Sequence, residues 1–110
     1  MQTSSSIIIN TADGKYFFQP DEIIRLEAKS NYTSIYFTNK KKMLTAKVLK
    51  DFTSLLSPFG FVRTHRTHLV NRQHILCVTP GGKIIMKDAS VAEISKRKRS
   101  GVMQTLNNAA

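Results

Sequence analysis

Three polar stretches of the sequence combine cations with hydroxyl, amide or imidazole side chains: Lys29-Ser30-Asn31, Arg63-Thr64-His65-Arg66-Thr67-His68 and Ser95-Lys96-Arg97-Lys98-Arg99. That mixture suits a polyanion. Lysine and arginine hold phosphate oxygens, hydroxyls and amides add neutral hydrogen bonds, and arginine and asparagine also match the donor and acceptor patterns of base edges. Taken singly, Lys29 to Asn31 equally describes a hairpin loop, and the last stretch a solvated basic face. The last stretch carries more information, because four cations in the first turn of a helix oppose the macrodipole, which favours negative side chains there. A phosphate at such a helix start would be held by free backbone N–H groups and by these side chains together.

The middle stretch also invites a metal reading, since His65, His68, His74 and Cys77 place four zinc-competent side chains within thirteen residues. Their spacing matches no usual paired-ligand pattern, and Arg66 and Arg72 would set positive charge beside a divalent cation. Cys77 lies in the apolar run Ile75-Leu76-Cys77-Val78, where a thiol is expected to be buried and inert. Neither a metal nor a cofactor is expected. Catalysis lacks its parts as well: a nucleophilic thiolate needs an exposed electropositive niche, and there is no P-loop or GxGxxG. Asp51, Asp88 and Glu93 read as helix-surface, turn and strand residues rather than an acid and base pair.

The whole composition agrees with a folded binder of polyanions. The 110 residues suffice for one domain, taken as residues 1–110 with a core over about 6–106, and 41% hydrophobic residues can fill that core. The formal net charge is +10. Residues 1–28 hold only Lys15 and Arg25 against Asp13, Asp21, Glu22 and Glu27, so the positive charge resides in the rest of the chain. A single cysteine and the absence of an export leader or an apolar run of membrane-spanning length point to the cytoplasm, with no membrane partner.

Several short elements must position the polar stretches. Ile24, Leu26 and Ala28 alternate with Arg25 and Glu27, and Thr33, Ile35 and Phe37 alternate with Tyr32, Ser34 and Tyr36, which predicts two half-buried strands. Asp13-Gly14 and Asn39-Lys40 supply turn residues between neighbouring strands. Val48, Leu49, Phe52, Leu55 and Leu56 form the stripe of an amphipathic helix over about 46–56, with Thr45 as its N-cap and Ser57-Pro58-Phe59-Gly60 as its stop. Phe61 to Arg63 is expected to be a strand leading into an irregular polar segment. Ile75 to Thr79 and Lys83 to Lys87 form a hairpin around Pro80-Gly81-Gly82, and Val91 to Ile94 a further strand. Ser95 caps a last helix over about 95–106.

The run DEIIRLEAKSNYTSIYF, the helix after it, the block GFVRTHRTHLVNRQHI and the closing EISKRKRSGV together resemble the LytTR family of bacterial DNA-binding domains. The resemblance covers about residues 6 to 106. It implies a mostly β fold, an elongated stack of small antiparallel sheets with those two helices, serving as the output module of response regulators. Such domains place loops in successive major grooves of double-stranded DNA. The resemblance makes Asn31, Arg66 and Arg97 the base-reading residues, and Lys29, Ser30, Arg63, His65, Thr67, Lys96 and Lys98 mainly phosphate contacts. Two protomers on repeated half-sites are expected, together with either a preceding receiver domain or a stand-alone regulator. Thr67 stands where the family most often has serine, keeping the hydroxyl, and His68 where a bulky or aromatic residue often follows; the first contact position and the residue matching Arg66 vary among relatives, so base preference does not transfer.

Two other classes compete. Basic loops near Tyr32 and Tyr36 could stack unpaired bases of RNA, although no RNP-like motif or GXXG loop is present. Alternatively, the basic face could dock an acidic protein.

Overall fold

The computed structural model of the chain describes residues 6–108. Most of its ten strands pair with their neighbour in sequence across a short turn. Alternation makes β1 (Ile7–Thr11) a strand with Ile7 and Ile9 inward and Ile8 outward. It turns back at Ala12-Asp13 into β2 (Gly14–Phe18), with Ile8 opposite Phe17. Then come β3 (Ile23–Lys29), β4 (Tyr32–Phe37), β5 (Lys42–Thr45) and helix α1 (Leu49–Leu56), which tightens into a 3-10 turn over Ser57–Phe59. Gly60, at φ 90°, takes the left-handed conformation that lets the chain leave this turn. After it follow β6 (Phe61–His65), β7 (His68–Asn71), β8 (Ile75–Val78), β9 (Lys83–Met86), β10 (Val91–Glu93) and helix α2 (Arg99–Asn107).

The strands form three antiparallel sheets: β1-β2, a five-stranded sheet in the order β5-β4-β3-β7-β6, and β10-β9-β8. The five-stranded sheet is the middle layer. On one face, the β1-β2 hairpin and α1 cover a core that includes Ile9, Leu26, Ile35, Phe52 and Leu69. On the other, β8 to β10 and α2 cover Ile24, Val70, Ile84, Met86 and Val102. Fully burying each of these side chains contributes about 1.5–3 kcal/mol relative to leaving it exposed.

This layering corrects the half-buried reading of Ile23 to Ala28. Leu26 belongs to one core and Ile24 to the other, and Arg25 is itself buried. A bulge between Ile23 and Arg25 breaks the two-residue period, so that Ile23 and Leu26, three positions apart, share one core while Ile24 enters the other. The polar segment after Arg63 is also strand: β6 continues to His65 through a bulge between Arg63 and His65 and pairs with β7, with His65 opposite His68.

Helix α1 starts at Leu49 rather than Ala46, and Thr45 is not its N-cap. The Thr45 hydroxyl instead accepts the Lys47 N–H at 3.0 Å, while Thr33 donates to the Lys47 carbonyl at 2.7 Å, holding Ala46 to Val48 out of the helix. Cys77 is exposed, not buried. A bulge between Ile75 and Cys77 on the edge strand β8 turns both Leu76 and Cys77 outward. Ser95 does cap the last helical segment, accepting the Lys98 N–H at 3.2 Å, but that segment opens as a 3-10 turn over Lys96–Lys98.

Candidate nucleic-acid interface

The first polar stretch is the tight turn between β3 and β4, closed by the pair Lys29 and Tyr32. Ser30 sits at φ 56°, and both Ser30 and Asn31 are exposed at the tip. The second is the turn between β6 and β7, with Arg66 exposed at its tip. Pairing of β3 with β7 sets the two turns side by side, and the Ala28 N–H donates to the Thr67 carbonyl at 2.9 Å.

The third stretch is joined to the second by a residue the sequence reading passed over. Thr64 is fully buried; its hydroxyl donates to the Glu93 carbonyl at 2.8 Å, and its carbonyl accepts the Ser95 N–H at 2.9 Å. Lys96, Arg97 and Lys98 are exposed beyond this clamp, and a shallow groove of about 350 Å³, lined by Arg63, Arg97 and Lys98, runs between the two stretches. Three segments distant in sequence therefore meet at one end of the middle sheet. Lys47, exposed and tethered to Thr33, stands at the same end.

Not every cation of these stretches faces outward. Arg63 donates from Nε to the His65 carbonyl at 3.0 Å, from one terminal nitrogen to Thr53 Oγ1 at 3.2 Å, and from the other to the Arg66 carbonyl at 2.7 Å. Burial lowers its pKa without discharging a guanidinium. His65 Nδ1 lies 2.8 Å from Thr67 Oγ1 and accepts the Thr67 N–H at 3.2 Å. That bond leaves a neutral His65 with its proton on Nε2. Arg99, the fourth cation of the last stretch, is tied to the β8-β9 turn, donating to Gly81 O at 2.9 Å. Gly82, at φ 88°, passes so close to that guanidinium that no Cβ would fit between them.

Behind the two adjoining turns lies a buried polar layer. Arg25 donates to Glu27 Oε1 at 2.9 Å and to Ser90 Oγ at 3.1 Å, and its guanidinium covers one face of the Tyr36 ring at 4.0 Å. Of the two tyrosines considered for stacking bases, only Tyr32 is exposed. Burial raises the Glu27 pKa, but the Arg25 hydrogen bond and charge outweigh it and hold the carboxyl below its usual value. His68, opposite Glu27, is pushed down by burial, with Arg25 and His65 adding to this and Glu27 opposing it. Asn71 is a buried bracket, donating to Pro20 O at 3.2 Å and Ile23 O at 2.9 Å and accepting the Gln73 N–H at 3.1 Å.

The four zinc-competent side chains are dispersed. The His65 and His68 rings lie 5.7 Å apart, whereas His74 Nε2 contacts the Asp21 carbonyl at 2.9 Å and Cys77 projects from the outside of β8. Among the described residues no group of three or more His, Cys, Asp or Glu side chains could hold a metal ion.

A β scaffold that carries basic turns from three parts of the chain to one end defines a nucleic-acid-binding module. The family model described as the LytTr DNA-binding domain matches residues 13–107, and the chain belongs to this LytTR family. A solved structure, the LytTr DNA-binding domain of a methyl-accepting/DNA response regulator from Bacillus cereus, shares the fold with a TM-score of 0.78 and 24% identity, covering 96% of this chain and 98% of that one. Comparison with curated proteins gives no match. The chain is a DNA-binding domain of a family typical of response-regulator output modules, which is not a family of enzymes.

Proposed function

We propose that this domain regulates transcription by reading double-stranded DNA sequence-specifically through its loops. Asn31, Arg66 and Arg97 contact base edges in the major groove, and Lys29, Ser30, Lys96 and Lys98 hold the flanking phosphates. The observation that carries this reading is the pair of backbone bonds, Ala28 to Thr67 and Ser95 to Thr64, that gather the three stretches at one end. Arg63 and Thr67 act first by building the turn that presents Arg66, and their remaining hydrogen-bonding capacity serves phosphate. His65 offers its Nε2 proton to phosphate. Two protomers on repeated half-sites, a receiver domain joined to the module and action in the cytoplasm complete the proposal.

The test is selection of a cognate duplex from a random pool, followed by binding of variants to cognate and random DNA. Arginine pairs bidentately with guanine O6 and N7, so Arg66→Ala or Arg97→Ala is expected to cost about 1–3 kcal/mol on the cognate site and little on random duplex. Lys98→Ala is expected to weaken both DNAs about equally. Equal losses on both DNAs from the two arginine variants would place these arginines on the backbone and move base reading to Asn31 or to DNA shape.

A further inference from the structure

A second cationic cluster lies away from the loops. β4 leaves the first loop at Tyr32 and runs to Phe37, a rise of about 17–20 Å. Lys40 and Lys41 follow in the turn into β5 and Lys42 opens that strand, at the opposite end of the middle sheet from Asn31 and Arg66, and all three are exposed.

Beside these lysines the sheet has an unpaired edge. β5 pairs only with β4, with Met43 opposite Ile35 and Thr45 opposite Thr33. The Phe37 N–H donates to the Lys41 carbonyl at 3.0 Å. Counting by two from that bond makes Met43 and Thr45 the residues bonded to β4, so the N–H and C=O groups of Lys42 and Leu44 point outward. Among the described residues no other strand pairs with this edge.

A cleft of about 340 Å³ opens along the edge, where β2 passes without pairing to β5; its apolar lining is Tyr16, Phe18, Phe37 and Met43. The Phe18 and Phe37 rings are 4.6 Å apart in its wall. The carboxylate that lines it, Glu22, is engaged by the Gln19 N–H. On the opposite face of β5, Leu44 is 57% exposed.

Edge lysines commonly serve to repel other strands. Repulsion alone does not account for an aromatic cleft on one side of the edge and an exposed leucine on the other. We propose that β5 is a docking strand for an extended, acidic segment of a partner protein. The segment adds antiparallel or parallel to β5 through the Lys42 and Leu44 backbone groups. Its alternate side chains enter the cleft, the others cover Leu44, and its carboxylates meet Lys40 to Lys42. Charge selects this occupant over a second copy of the chain, since β5 of a second copy, Lys42–Thr45, brings no carboxylate to meet Lys40 to Lys42. The only adjacent carboxylates of the sequence, Asp21 and Glu22, are held in a 3-10 turn and are not free to extend.

The test uses the isotope-labelled chain, titrated with a short peptide that alternates valine and glutamate around one phenylalanine, up to about 1 mM, the weak end of specific recognition. The expected result is shifted and slowly exchanging amides at Lys42 and Leu44, with a shifted Met43 methyl. Leu44→Pro removes one outward N–H while leaving the bonds to β4, so it is expected to weaken the peptide at least tenfold and leave melting and DNA binding as in the parent. Lys41→Glu combined with Lys42→Glu is expected to abolish peptide binding and spare DNA binding. No shift at β5, shifts confined to the DNA-facing loops, or affinity unchanged by Leu44→Pro would overturn the proposal. So would a loss of DNA affinity in the double variant as large as that of Lys98→Ala, or self-association through β5 in sedimentation.

Discussion

His68 shows how a single side chain under the interface couples folding to pH. The residue is 8% exposed, and its Nδ1 has no hydrogen-bond partner among the described residues. Burial lowers its pKa from the ordinary 6.5. Above pH 6.5 the ring is neutral in both the folded and the unfolded chain, so it adds no pH dependence there. As pH falls below that value, the unfolded chain takes up a proton that the folded chain declines, and stability is lost until the folded value is passed. One such group accounts for at most about 1.4 kcal/mol per pH unit. His68→Phe keeps a ring in the site and removes the titration. Urea unfolding at a series of pH values below 6.5 is therefore expected to give a flatter decline for this variant than for the parent. An unchanged slope would assign the acid sensitivity to other groups.

At the level of elements, the strands between residues 23 and 37, the hairpin around Pro80-Gly81-Gly82 and the two helices were legible, because period two and period 3.6 survive in their apolar residues. What escaped the sequence reading depends on contacts from distant parts of the chain. Arg25 reads as a solvent-facing residue of an alternating strand, and only packing of β8 to β10 on that face buries it. Ala46 and Lys47 are good helix formers, yet the Thr33 hydroxyl holds them in a bend outside the helix. Thr64 looks like one more polar residue of a basic run, and its role as a clamp follows from Glu93 and Ser95 lying beside it. The three polar stretches themselves were recognisable by composition, but which of their cations face outward was not, since Arg63 and Arg99 find partners 10 and 18 residues away. The stripe of α1 was read correctly at Phe52, which is 1% exposed in the core against the middle sheet. Phe52→Ala is expected to cost about 3–5 kcal/mol. Chemical denaturation is the check: an unchanged midpoint would refute the core assignment, and intact stability with lost DNA binding would move Phe52 to the interface.

For the molecule as a whole, the question is whether affinity for DNA follows total charge or the place where charge is presented. Two clusters of exposed cations stand at opposite ends of β4. Five exposed cations, Lys29, Arg66, Lys96, Arg97 and Lys98, stand on the converging loops, and Lys40 to Lys42 stand at the far end. With Lys47 at the same end and the free capacity of Arg63, the domain can neutralise about five to seven phosphates, so log K is expected to fall with log salt at a slope of about −4 to −6. Random duplex is expected to give nearly the same slope, because phosphate contacts carry no sequence information. Counterion release counts contacts rather than net charge. Lys98→Ala is therefore expected to reduce the slope by about one unit, whereas Lys41→Ala removes the same charge from the protein and is expected to leave the slope unchanged. Fluorescence anisotropy over a series of salt concentrations measures both. Equal changes from the two variants would mean that a diffuse positive field, and not the geometry of the loops, sets the affinity.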